Sequence, residues 1–192
     1  MAEKRPSIVV TLDRVAEVAG SIEFLAAQRL MIGIPAEKTP RTDGPINNAS
    51  LLYIHEHGAP EAHIPQREVL KPTIKANLTT LIDPAFKKAG TAAFNGQRDK
   101  VETIYGQLGQ KLADACRDRI VSHIPPPLKE ATVLARTTRT AKYKNAKAGK
   151  KSAMREQATT ASALADAVPL FDSGQMARAI SWVIRKLGFR KR

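Results

Sequence analysis

Apolar residues recur along this chain with two periods, and the changes of period mark its elements. Val101, Ile104, Leu108, Leu112, Cys116 and Ile120 fall three or four residues apart, which predicts a helix over 101–124 with one apolar face. Lys111, Asp114, Arg117 and Asp118 lie off that face, and "PPPL" at 125–128 stops it. Leu70, Ile74, Leu78, Leu81, Ala85 and Ala89 set a second helical pattern over 69–93. Pro72 fits the first turn of that pattern, where a missing N–H costs nothing, whereas Asp83-Pro84 predicts a bend or a new helix start. Val15, Val18, Ile22 and Leu25 predict a further helix, weakened by Gly20. A period of two appears where Ile180, Trp182 and Ile184 alternate with Ser181, Val183 and Arg185, and predicts a half-buried strand. The short β-branched run "SIVVTL" at 7–12 and "RLMIGIP" at 29–35 predict two more strands, the second stopped by Pro35. Residues 36–48 are a loop by composition, "ASLLYIHEHG" at 49–58 suits a short helix or a strand, and 61–67 is irregular because Ile64 precedes a proline. The pattern predicts a single α+β domain over 1–192: a small, mostly antiparallel sheet from strands near 7–12, 29–34 and 179–186, packed against two or three helices.

Composition changes this picture in one place. Residues 136–155 hold eight basic side chains and no acid: Arg136, Arg139, Lys142, Lys144, Lys147, Lys150, Lys151 and Arg155. Ala, Thr, Gly and Ser fill most of the remainder, so the stretch buries little apolar surface. It is expected to be a basic insertion or arm within the domain, extending over 136–168. The whole chain carries 31 Lys+Arg against 18 Asp+Glu, a formal charge of +13, which draws it to polyanions: nucleic acid or an acidic protein surface. Aromatic residues make up 5%, too few for a surface that reads bases by stacking. The eight cations of the arm fit two readings: contact with DNA, without sequence preference, or with an acidic partner, and a solvated, disordered arm that contacts neither.

Candidate chemistry concentrates in "YIHEHGAPEAHIPQR" at 53–67, which holds three of the four histidines. A zinc-protease helix needs two histidines four apart, and here His55 and His57 are two apart. On a helix such residues point about 200° from each other and do not share a metal. On a strand they share a face, with His63 as a third ligand, but this fits no strong metal pattern. No Gly-x-Ser-x-Gly turn and no phosphate loop occurs; "GQKLADA" lacks both the Gly-rich lead-in and the Lys-Ser/Thr ending. The lone cysteine, Cys116, forms no internal disulfide, and its place on an apolar stripe predicts a buried structural thiol. The N-terminal stretch reads as neither signal peptide nor membrane anchor, and no apolar run approaches a transmembrane length. The expectation is no enzyme, no metal, no cofactor, no small-molecule substrate and no membrane.

Three pieces, taken in order, carry a resemblance. "LMIGIP", "YIHEHGAPEAHIPQREVLKPTI" and "PLFDSGQMARAISWVI" resemble the neck or tail-completion proteins of tailed bacteriophages and prophages, which sit between the head portal and the tail tube. Ile54, His55, Glu56, Gly58, Pro60, Ile64, Pro65, Arg67, Leu70 and Pro72 match that family's central block. Pro125, Pro126, Pro127 and Leu128 match its "PPL" stretch; Pro169, Leu170, Asp172, Gly174, Met176 and Ile180 match its last motif. His57, Glu68-Val69, Ser173 and Ala179 depart from it, and the basic arm lies outside it. The resemblance implies a structural virion protein: a closed homo-oligomeric ring, a hexamer, that completes the tail, joins it to the head and contacts other neck and tail proteins. It implies a place at the head–tail interface of the virion, and the host cytoplasm during assembly. The motif residues are then expected to fix geometry, with Arg67 pinning its turn to a carboxylate such as Glu56, and with Asp172 or Ser173 capping a helical turn ahead of a positive-φ Gly174. A non-specific nucleic-acid-binding protein is the alternative reading, and a metal-dependent hydrolase the third.

Overall fold

The computed structural model describes residues 14–42, 44–136, 138 and 167–187. The strand expected at 7–12 lies outside the described residues, as do Arg139, Lys142, Lys144, Lys147, Lys150, Lys151 and Arg155 of the basic arm. Helix α1 (Val15–Ala27) runs directly into strand β1 (Gln28–Gly33). A 3-10 turn at Ala36–Lys38 precedes α2 (Asn48–His57), and a second at Pro60–Ala62 precedes α3 (Leu70–Ala76). A π turn at Leu78–Ile82 leads into α4 (Asp83–Phe94), followed by α5 (Arg98–Val121). Residues 130–136 are helical, and the chain returns through α6 (Gln175–Ala179) to strand β2 (Ser181–Lys186). This is an α+β fold, as the hydrophobic pattern predicts, with a two-stranded antiparallel sheet among the described residues.

The register places Leu30 opposite Ile184, Met31 opposite Val183 and Ile32 opposite Trp182. Side chains alternate across a strand, so Leu30, Ile32, Trp182 and Ile184 share one face of the strand pair. That face lies on α5, where two glycines three residues apart make room for it. A Cβ built on Gly109 would stand 2.7 Å from Trp182 Cγ and 3.0 Å from Leu30 Cδ1, and one on Gly106 would stand 3.2 Å from Trp182 Cη2. The opposite face carries Met31 and Val183, 48% and 42% exposed.

Two apolar clusters flank this contact. Val101 and Tyr105 of α5 pack with Ala89, Ala92 and Ala93 of α4, joined by Phe24 and Leu25 of α1. The other cluster joins Cys116 and Ile120 of α5 to Leu52, Val69, Leu170, Met176 and Ile180. The predicted stripe of α5 is thus its core face, and Cys116 is fully buried. Burial also pushes the Cys116 thiol above its ordinary pKa, so it stays protonated and unreactive.

Two details differ from the sequence pattern. In α1 the predicted stripe is only partly buried: Val15, Val18 and Ile22 stay exposed while Leu25 packs inward. The helix docks through small Ser21, whose Oγ donates to Ala93 O at 2.9 Å, so close approach to the alanine-rich end of α4 decides its facing. At Asp83-Pro84 a new helix does begin, with Asp83 as its first residue and a π turn directly before it.

Candidate functional site

The 53–67 stretch is a helix end followed by a tight turn. Asn47 caps α2 by accepting from Ser50 N at 2.8 Å, and Gly58 ends it at φ +75°. A side chain at Gly58 would meet Gln66 N at 3.0 Å, so both its backbone conformation and its space call for glycine. Ala59 and Ile64 then exchange two backbone hydrogen bonds, at 2.9 and 3.0 Å, which close the turn, with His63 in a left-handed conformation.

Glu56 is buried on α2, and its carboxylate serves the start of α3. Oε2 accepts from Val69 N at 2.7 Å and Leu70 N at 3.2 Å, and Oε1 accepts from Lys71 N at 3.2 Å. A helix leaves its first four N–H groups without partners. Three of the four here belong to Val69, Leu70 and Lys71; the fourth position is Pro72, which has no N–H. Glu56 and Pro72 together therefore resolve the whole N-terminus of α3, with the carboxylate at the positive end of the peptide dipoles.

The expected Arg67–Glu56 pair is consequently not formed. Glu56 is committed to backbone N–H groups, and the buried Arg67 guanidinium turns to the proline run instead. Its Nε and Nη2 donate to Pro126 O at 3.0 and 2.6 Å, and Nη2 reaches Pro127 O at 3.4 Å. Proline carbonyls have no N–H neighbours to pair with in a ladder, and Arg67 supplies donors to them. Other arginines do the same for other irregular segments. Arg119 Nε donates to Glu68 O at 3.0 Å, and Arg117 Nη2 to Ile180 O at 2.7 Å. Arg136 Nη1 donates to Val168 O at 2.9 Å and its Nη2 to Pro169 O at 2.9 Å. Arg136, the first cation of the expected contact segment, thus holds the chain that leads into the last motif.

In that last motif Gly174 has the expected positive φ, +72°, but it occupies the cap position of α6 itself. The helix starts one residue later than a Ser173 cap would require; Ser173 Oγ accepts from Gln175 N at 3.4 Å, and no side chain closes the first turn in the standard manner. Met176 is buried beside Leu52 and Leu170, whereas Asp172 and Ser173 are exposed.

These segments enclose a groove of about 940 Å³. One wall is the end of α2 and its turn, with His55, His57, Pro60, His63 and Pro65; the other is Pro126, Pro127, Leu128 and Lys129, with Thr132, Arg136 and Pro169 beyond. No carboxylate lines it among the described residues. His57 stacks on Tyr53 at 4.2 Å, and its Nδ1 lies 3.0 Å from Tyr53 O, a contact that needs the proton on Nδ1. His55 is half-buried, with a buried Nδ1 that finds no hydrogen-bond partner among the described residues. Burial, and then the charges of Arg67, Arg136 and Arg41, push its pKa down to about 4, so it is neutral near pH 7. Because α2 is a helix, His55 and His57 leave it in different directions, and among the described residues no group of His, Cys, Asp and Glu is placed to hold a metal ion.

His55, Gly58, Pro60, Ile64, Pro65 and Arg67 of the central block line this groove with the proline run and Pro169, whereas Glu56 and Pro72 serve α3, and Asp172, Ser173, Gly174 and Met176 line a separate pocket of about 130 Å³. Lys129, Thr132 and the carbonyl-binding Arg117 and Arg119 carry no motif that would have singled them out. Only the helical phase of Arg117 and Arg119, near the buried Cys116 and Ile120, hints at them. No helix among the described residues is long and apolar enough to cross a membrane. No family model matches this sequence, and no curated protein and no solved structure is significantly similar to it.

Proposed function

We propose that this chain is a structural protein of a tailed-phage neck, forming a ring that completes the tail and joins it to the head. One observation carries the reading: the pieces of the resemblance, far apart in sequence, meet in one body. Val69 of the central block, and Leu170, Met176 and Ile180 of the last, share a cluster against which Leu70 of the central block and Ile32 and Ile34 of the first piece pack. Arg67 ties the central block to the "PPL" stretch. Glu56 and Arg67 are spent on backbone N–H groups and carbonyls, a use that fixes shape. A heterologous ring needs two different patches on each subunit. The exposed stripe of Val15, Val18 and Ile22 on α1 and the outer Met31–Val183 pair of the two strands offer two.

Immunogold labelling of particles from the phage or prophage that encodes the chain tests the reading, with label expected at the head–tail junction. Native mass spectrometry of the purified protein is expected to give a closed ring, six subunits by the resemblance. A particle labelled elsewhere overturns it. A permanent monomer that binds DNA with a steep salt dependence replaces it with the nucleic-acid reading.

A further inference from the structure

We propose that the groove between the 58–67 turn and the proline run is a docking site for an acidic, extended peptide segment of a partner protein. Its charge is the first reason. Arg67, Lys129 and Arg136 line it and no carboxylate does among the described residues, so a ligand of negative charge meets positive potential there. Its walls are the second. Pro60, Pro65, Pro126 and Pro127 present rigid apolar surface and no N–H, so they favour side-chain contacts with an extended chain over the backbone pairing of an added strand. Its size is the third: about 940 Å³ holds several side chains.

The same features weigh against nucleic acid as the occupant. Among the described residues no Phe, Tyr or Trp ring lines the groove, and the His57 ring is already stacked on Tyr53. The Arg67 and Arg136 guanidiniums are bonded to backbone carbonyls, so they lend positive potential more than donors for a phosphate. The proposal goes beyond the neck reading, since a ring built through α1 and the outer face of the strand pair leaves the groove open.

Fluorescence anisotropy of the full chain, with a short labelled peptide of alternating Glu and Leu, tests it. Lys129 and Thr132 are exposed in the groove, and Lys100 is exposed on α5 away from it. Lys129→Glu and Thr132→Glu are each expected to weaken peptide binding about tenfold, and Lys100→Glu, which makes the same charge change as Lys129→Glu, about twofold or less. Equal losses for Lys129→Glu and Lys100→Glu, or no binding by the unaltered chain, overturn the site. Oligothymidine that displaces the peptide and shows the same dependence on Lys129 overturns the peptide in favour of nucleic acid. Ring formation by the groove variants, measured in parallel, separates this result from the fate of the neck reading.

Discussion

The two ends of α5 are held by different physics. Around Val101, Tyr105 and Gly109 the molecule is held by shape: alanines of α4, two glycines and the ring of Trp182 bring helices and strand pair close together, with few polar bonds across the contact. Around Ile120 the apolar cluster is bordered by turns and a proline run whose backbone has no ladder partner. There, arginines and one glutamate supply the missing hydrogen bonds. Packing tolerates small losses in proportion to the volume removed. A buried polar group left without its partner costs far more than the bond contributed net. The irregular end therefore depends on fewer atoms, and it is the end that carries the groove.

Breaking the contrast at its most sensitive point gives the largest effect. Glu56→Gln keeps the volume but turns an amide NH₂ toward N–H groups that now lack an acceptor. It is expected to cost about 3 kcal/mol, read from urea denaturation; a variant within experimental error of the parent would mean that water serves the α3 terminus equally well. At the packed end Gly109→Ala is expected to cost about 1 kcal/mol net. Overpacking against Trp182 costs about 1–3 kcal/mol and improved helix propensity returns about 1. An unchanged or raised midpoint would show that the strand pair can move away without loss. The smallest effect is one of pH. His55 has its folded pKa depressed to about 4 from an ordinary 6.5, so between those values the unfolded chain binds a proton that the folded chain refuses. Its contribution is present above pH 6.5 and is lost as pH falls toward 4. The difference in stability between pH 7 and pH 4.5 is expected to shrink in His55→Gln, and an unaltered difference would remove His55 as its source.

Much of the packed end was legible in the sequence. The stripe of α5 and the alternation around Trp182 follow from period alone, and the restart at Asp83 follows from a proline that cannot continue a helix. The facing of α1 was not, because Ser21 and the alanines of α4 set it by close approach, which a hydrophobic count does not weigh. At the irregular end the important residues were visible but their partners were not. Glu56, Pro72, Gly58 and Arg67 stood out as a set, yet a charge-pairing rule joined Arg67 to Glu56. The prediction failed because it weighed side chains against side chains. Unpaired backbone groups at a helix start and in a proline run compete for the same charges, and here they win.

Trp182 is the one tryptophan of the chain, and it sits between the strand pair and the glycines of α5 with its Nε1 donating to Gln110 Oε1 at 3.3 Å, while its ring also packs against the Ile120 cluster. Its indole emission is therefore a built-in optical gauge of the strand-pair seam and of the apolar cluster beside it. A detached strand pair would redden it at once, while a loosened contact between α1 and α4 would lower the helical signal in circular dichroism and leave the ring in place. Disagreement between the two spectroscopies would then map which part of the molecule opens first.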